Sequence, residues 1–181
     1  GFLTSQSNLV AVGIEKYRKE IAAYFYPREN IIKKTEGFIS QLRKRFAWVV
    51  GVHIRQGDYK TFQGGKYFFE QKEARKILDE YLAFIGKNAS ETAFVLCSDN
   101  PLEESLFGGL NVILPGGDAV EDLFILAKTD VIIGSNSTYG AFASYYGNIP
   151  FIVFDRDAME WDYYRDKKSY FENKINTLTF Y

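Results

Sequence analysis

Cysteine is almost absent from this chain. The single example, Cys97, excludes an internal disulfide framework and favours a reducing compartment. Histidine is as scarce: His53 stands alone, so no Cys/His cluster with metal-ligand spacing can be assembled, and no second histidine exists to activate Cys97. Cys97 therefore reads as a small buried hydrophobe within Phe94-Val95-Leu96-Cys97. No apolar run approaches the roughly 18 residues of a membrane span, and no signal peptide is visible. Charge excess is missing too. The 22 basic and 23 acidic side chains leave a net charge of -1, which argues against a nucleic-acid footprint and against a polybasic membrane anchor. The expected location is cytoplasmic, with peripheral membrane association left open, and any anion site must be local. Gly64-Gly65 and Gly116-Gly117 are turn glycines that match neither a dinucleotide fingerprint nor a P-loop.

What is present is a globular composition: 181 residues, 46% hydrophobic and 25% charged, enough for one ordinary domain with a sound core. The chain opens at Gly1 and Met159 is its only methionine, so the expectation is a trimmed start with a preceding domain cut away. Two helices are predicted first. In residues 8–25, Val10, Ile14, Tyr17, Ile21 and Tyr24 recur at three- and four-residue steps until Pro27. Asn30 then caps a second helix through Ile31, Ile32, Phe38, Ile39 and Leu42, with Arg43, Lys44 and Arg45 at the end the dipole favours. From residue 47 onward strands and helices alternate. Strand 47–54 precedes a helix over 69–85 with Ala74, Ile77, Leu78, Tyr81 and Leu82 on one face; strand 92–96 precedes a short helix opened by Pro101. Strand 111–114 leads to a helix over 119–128, capped by Asp118, with Val120, Leu123, Phe124 and Ala127 sharing a face. Strand 130–134, a helix over 139–146 closed by Gly147, and strand 151–154 complete the series. This alternation predicts an α/β, doubly wound, mainly parallel Rossmann-like sheet over residues 47–181, preceded by a helical lead-in over 1–46. The tail aromatics Trp161, Tyr163, Tyr164, Tyr170 and Phe171 are expected to complete the same core.

Three polar segments begin where apolar strands stop, and in an open α/β sheet ligands collect just beyond the carboxyl ends of strands. The first is His53-Ile54-Arg55-Gln56-Gly57-Asp58-Tyr59. Arg55 arrives there as a permanent planar cation suited to phosphate oxygens, and Gly57 lets a ligand approach the backbone. The second is Ser98-Asp99-Asn100-Pro101. Asp99 reads either as an Asx turn or helix cap, or as a carboxylate able to accept both N1–H and N2–H of guanine. The third, Ser135-Asn136-Ser137-Thr138, runs into a helix; one hydroxyl can cap it while its amides attract phosphate. A lone strand-terminal histidine such as His53 is ordinarily a hydrogen-bonded residue, so no catalytic base is assigned to it. Metal ligation looks poor, because Asp155-Arg156-Asp157 carries its own competing cation.

Together these segments resemble the donor-nucleotide half of the fucosyltransferases, above all the α-1,2-fucosyltransferase family with its His-x-Arg-Arg-Gly-Asp-Tyr motif. The stretches from Glu121 through Tyr139 and from Ala143 through Asn148 resemble the same family's second block, and the likeness spans roughly residues 47 to 155. It implies the carboxyl-terminal half of a GT-B fold that holds GDP-fucose, and an inverting, metal-independent transfer of fucose to a glycan hydroxyl. No cofactor is implied beyond the donor substrate. The acceptor-side domain would be missing or reduced to residues 1–46, and the acceptor specificity and general base would lie outside this chain. By the resemblance Arg55 is the catalytic, diphosphate-binding residue and His53 and Asp99 lie near guanine. Asp58, Ser135, Asn136, Ser137 and Thr138 complete the donor site. Gln56 stands where the family has its second arginine and removes a positive charge. This leaves open a transferase for another nucleotide sugar, or a non-catalytic nucleotide- or glycan-binding module.

Overall fold

Apolar runs bounded by charge become the strands β1 (Trp48–Ile54), β2 (Thr92–Ser98), β3 (Asn111–Ile113), β4 (Val131–Gly134) and β5 (Phe151–Val153). The computed structural model describes residues 16–165. Every pairing is parallel and the order is β3-β2-β1-β4-β5. The doubly wound α/β sheet predicted from the sequence is the one observed, and among the described residues it is parallel throughout. The chain builds outward from β1 to β3, then returns to β1's other side for β4 and β5. At such a reversal, open α/β sheets commonly hold a ligand in a crevice at the carboxyl ends of the strands, here those of β1 and β4.

Helices cover both faces: α1 (Arg18–Tyr24), α2 (Glu29–Arg43), α3 (Gln71–Ile85), α4 (Ala119–Leu126) and α5 (Thr138–Gly147). Strand side chains alternate between two apolar layers. Val50, Val52 and Ile54 of β1 join Phe94, Leu96, Val131 and Ile133 beneath α3, which contributes Ala74, Ile77, Leu78 and Tyr81. Val49, Ala93, Val95, Cys97 and Ile132 face the opposite layer under α2, α4 and α5. Ile39, Leu42 and Phe46 from the lead-in belong to that second layer. Asp130 fastens them to the sheet, accepting from Val49 N at 2.7 Å and from both Arg43 guanidinium nitrogens at 2.8 Å. No described helix is long and apolar enough to cross a membrane.

Several boundaries differ from the sequence reading, each for a local reason. Residues 8–15 of the first predicted helix lie outside the described residues. The N-cap position of α2 falls to Arg28, not Asn30, with no side chain capping it: Arg28 is extended after Pro27, and Glu29 already occupies the first turn, where the dipole favours a carboxylate. Pro101 opens no helix. Gln71 holds that segment extended, donating to Pro101 O at 3.1 Å and accepting from Glu103 N at 2.8 Å, so only the 3₁₀ turn Glu104–Phe107 forms. Asp118 caps α4 as predicted, through Val120 N and Glu121 N. Val120 is nevertheless 49% exposed, because the helix buries its second half, Phe124 to Leu126, rather than a full-length stripe. The left-handed position ending α5 belongs to Asn148 (φ 52), whereas Gly147 is the last helical residue, where a methyl group would collide with the carbonyl of Ala127. Of the tail aromatics, Tyr164 is buried and Trp161 stacks on Phe84 at 5.2 Å. Tyr163 stays 39% exposed, and Tyr170 and Phe171 lie outside the described residues.

Candidate functional site

The three polar segments meet at the crevice. Because β1 and β4 are neighbours in register, with His53 opposite Gly134, their next residues leave the sheet side by side. Arg55 N donates to Ser135 Oγ at 2.9 Å, and Tyr59 Oη donates to the carbonyl of Asn136 at 2.7 Å. Two bonds thus tie the loop after β1 to the loop after β4.

Asp99, at the end of β2, holds the same loop from its other side. Its Oδ1 accepts from Gln56 N at 2.8 Å and its Oδ2 from Gly57 N at 3.0 Å, with Arg55 Nη1 at 3.3 Å. A Cβ at Gly57 would press on Asp99 Oδ2, so a side chain there would have to shift the carboxylate that holds the loop. Asp99 therefore serves as a cap, but for the loop after β1 rather than for a helix at Pro101. The Arg55 guanidinium rests on Asp58 Oδ1, 3.0 Å from Nε and 2.9 Å from Nη2, and over the Tyr59 ring at 5.8 Å. Asp58 is well exposed, so this i,i+3 pair is weak and exchangeable.

Gln56 turns inward. It is buried, donating through Nε2 to Phe69 O at 3.2 Å and accepting from Gln71 at 3.3 Å. Its side chain packs the loop instead of facing the crevice. His53 is also buried, against the Tyr139 ring at 4.7 Å, with Nδ1 3.1 Å from Ser137 Oγ. Burial lowers its pKa from the ordinary 6.5 to about 4, outweighing the opposing pull of Asp99. Ser137 in turn accepts from Gly140 N at 3.2 Å as the N-cap of α5. Ser135 is buried, Asn136 half-buried and Thr138 exposed at the head of the helix. Each predicted site residue thus reaches this edge.

One acidic residue escaped the sequence reading. Asp122, on the first turns of α4, is half-buried beside Cys97 and keeps a buried Oδ1 without a hydrogen-bond partner. Burial raises its pKa, while the Cys97 thiol, a weak hydrogen-bond donor, pulls it down. The thiol's own pKa is pushed well up by burial, and the Tyr139 hydroxyl, which donates to Ala119 O at 2.6 Å, is pushed up as well. The sequence carried a faint signal for Asp122: an acid next to the apolar stretch Leu123-Phe124-Ile125-Leu126. The stack of Tyr59 and Phe62, 5.7 Å between centroids, was also missed, although three aromatics crowd within nine residues of a polar loop.

No protein-family model matches the chain, and comparison with curated proteins finds no match. Solved structures do resemble it. The crystal structure of POFUT1 in its apo form aligns at TM-score 0.51 and 14% identity, over 71% of this chain and 47% of that one. POFUT1 in complex with GDP-fucose aligns at 0.51 and 14%, over 70% and 46%. The complex with GDP gives 0.50 and 15%, over 71% and 47%. This likeness shows the fold: a Rossmann-like α/β unit of the kind found in GT-B fucosyltransferases. The chain spans about half the length of the POFUT1 chains it matches.

Proposed function

We propose that this chain forms the donor side of a fucosyl transfer, binding GDP-fucose and delivering fucose to a glycan hydroxyl with inversion, in the manner of the α-1,2-fucosyltransferases. The observation that carries the reading is the meeting of Arg55 with the loop at the head of α5, at the point where the sheet's strand order reverses. A diphosphate would displace the exposed Asp58 from the guanidinium, while Asp99 continues to hold the loop backbone. The first-turn amides and dipole of α5 add a second anion contact. In the transfer, the acceptor oxygen attacks the anomeric carbon and the bond to the β-phosphate oxygen breaks, its electron pair remaining on GDP. The hydroxyl proton passes to a base on the acceptor side. Arg55 stabilises the negative charge that grows on the phosphate.

Guanine is the base best matched to this edge. Asp99 is the carboxylate this edge offers: each oxygen accepts one loop amide and keeps a further lone pair, so the contacts to N1–H and N2–H are assigned to it. Gln56 works as loop packing and supplies none of the assigned donor contacts.

Calorimetric titration with GDP, UDP, ADP and CMP tests the assignment. GDP is expected to bind tightest, and Arg55→Ala to weaken it roughly 30-fold, the loss of a charge-assisted hydrogen bond worth ~2 kcal/mol. Preference for UDP, or equal GDP binding by the variant, defeats it.

A further inference from the structure

The loop between β1 and α3 carries three aromatic rings that donor binding leaves unused. Tyr59 and Phe62 stack with 20° between their planes, and Tyr67 completes the group at 6.2 and 6.3 Å from them. The backbone makes this possible by turning back on itself, with Gln63, Gly64 and Gly65 all at positive φ. Gln63 is a non-glycine residue in the left-handed region, an uncommon and mildly strained choice outside a functional loop. The rings belong to neither of the two core layers, and Phe62 remains 46% exposed. Core packing therefore does not account for them.

Their position is fixed relative to the crevice. The Tyr59 hydroxyl is bonded to Asn136 at the head of α5, and its ring lies under the Arg55 guanidinium. Lys66 stands over Tyr67 at 5.3 Å, supplying a donor at the rim of the cluster. A pyranose has one face of slightly positive C–H groups, ringed by hydroxyls. An aromatic platform with electron-rich faces and a polar rim is complementary to that surface. Inverting displacement also requires the attacking oxygen to approach from the side opposite the leaving phosphate, so an acceptor sugar must sit beyond Arg55 rather than on it. The cluster runs outward from Arg55 through Tyr59 to Phe62.

We infer that Tyr59, Phe62 and Tyr67 seat a sugar ring of the acceptor glycan by stacking; this rests on the donor reading above. The test uses the full chain with a panel of methyl glycosides of galactose, N-acetylglucosamine and mannose, by saturation-transfer NMR in the presence of GDP, alongside GDP calorimetry. At least one glycoside is expected to receive saturation on its C–H face. Phe62→Ala should weaken that glycoside roughly two- to tenfold while GDP affinity holds, and Phe62→Trp should restore or exceed parent binding. Absence of glycoside contact, or contact unchanged in Phe62→Ala, overturns the inference. Loss of GDP affinity in Phe62→Ala with retained signal in Phe62→Trp reassigns the platform to the nucleobase and also overturns it. Glycoside contact without any GDP binding by the parent removes the donor reading, and the acceptor role with it.

Discussion

His53 offers a clean measurement because it is the chain's only histidine. Folded, it is buried and its pKa lies at about 4; unfolded, it returns to about 6.5. Between these values the unfolded chain binds a proton that the folded chain refuses, so acid favours unfolding. Stability attributable to His53 is therefore complete above pH 6.5, falls through the interval, and is fully lost near pH 4. The slope cannot exceed one proton, ~1.4 kcal/mol per pH unit, and the integrated loss is about 3 kcal/mol. Urea unfolding of the parent and of His53→Gln at half-unit steps from pH 7.5 to 4 isolates this contribution, because carboxylate titrations are common to both proteins. Glutamine can keep a hydrogen bond to Ser137 and carries no ionisable group. The parent should lose about 3 kcal/mol more than the variant over the interval, and its imidazole proton resonance should stay in its neutral position down to about pH 5. Parallel stability curves, or an imidazole titrating near pH 6.5, would refute the buried neutral histidine and the His53–Ser137 contact behind it.

Removing the loop clamp with Asp99→Ala should cost about 1–2 kcal/mol, since two backbone amides and Arg55 lose a partly solvated acceptor. The melting temperature should fall by roughly 2–8 °C, and GDP binding should weaken because the Arg55 loop loosens; unchanged GDP affinity would show that the loop holds itself. Asp118→Ala should lower stability by ~1 kcal/mol through loss of the α4 cap, checked by thermal melting, with GDP affinity intact. Gly147→Ala should destabilise by roughly 1–3 kcal/mol or prevent folding, because the added methyl group meets the Ala127 carbonyl rather than a flexible side chain. A melting curve matching the parent's would mean that α4 and α5 can separate at that point.

Periodicity was enough to reveal the layered α/β fold in this sequence, since a strand buried on both faces must be uninterruptedly apolar and the helix between two parallel strands must carry a stripe. The same logic marked the site's edge: polar residues that stop an apolar strand can only emerge at the sheet's edge, which is why Arg55, Asp99 and the Ser135–Thr138 segment are legible in the sequence alone. Their partners were not. Whether Asp99 faced a ligand or the backbone of residues 56 and 57 depended on the separation of two strand ends that are 43 residues apart in sequence. The inward turn of Gln56 depended on a carbonyl at Phe69 and an amide at Gln71, brought close by a loop with no periodic signal. Asp122 hid within a helix because solvation is set by the neighbouring elements, here Cys97 and α5, rather than by the helix's own residues. Local chemistry selected the elements and their ends; three-dimensional packing decided which lone pairs and which ring faces were left over for a ligand.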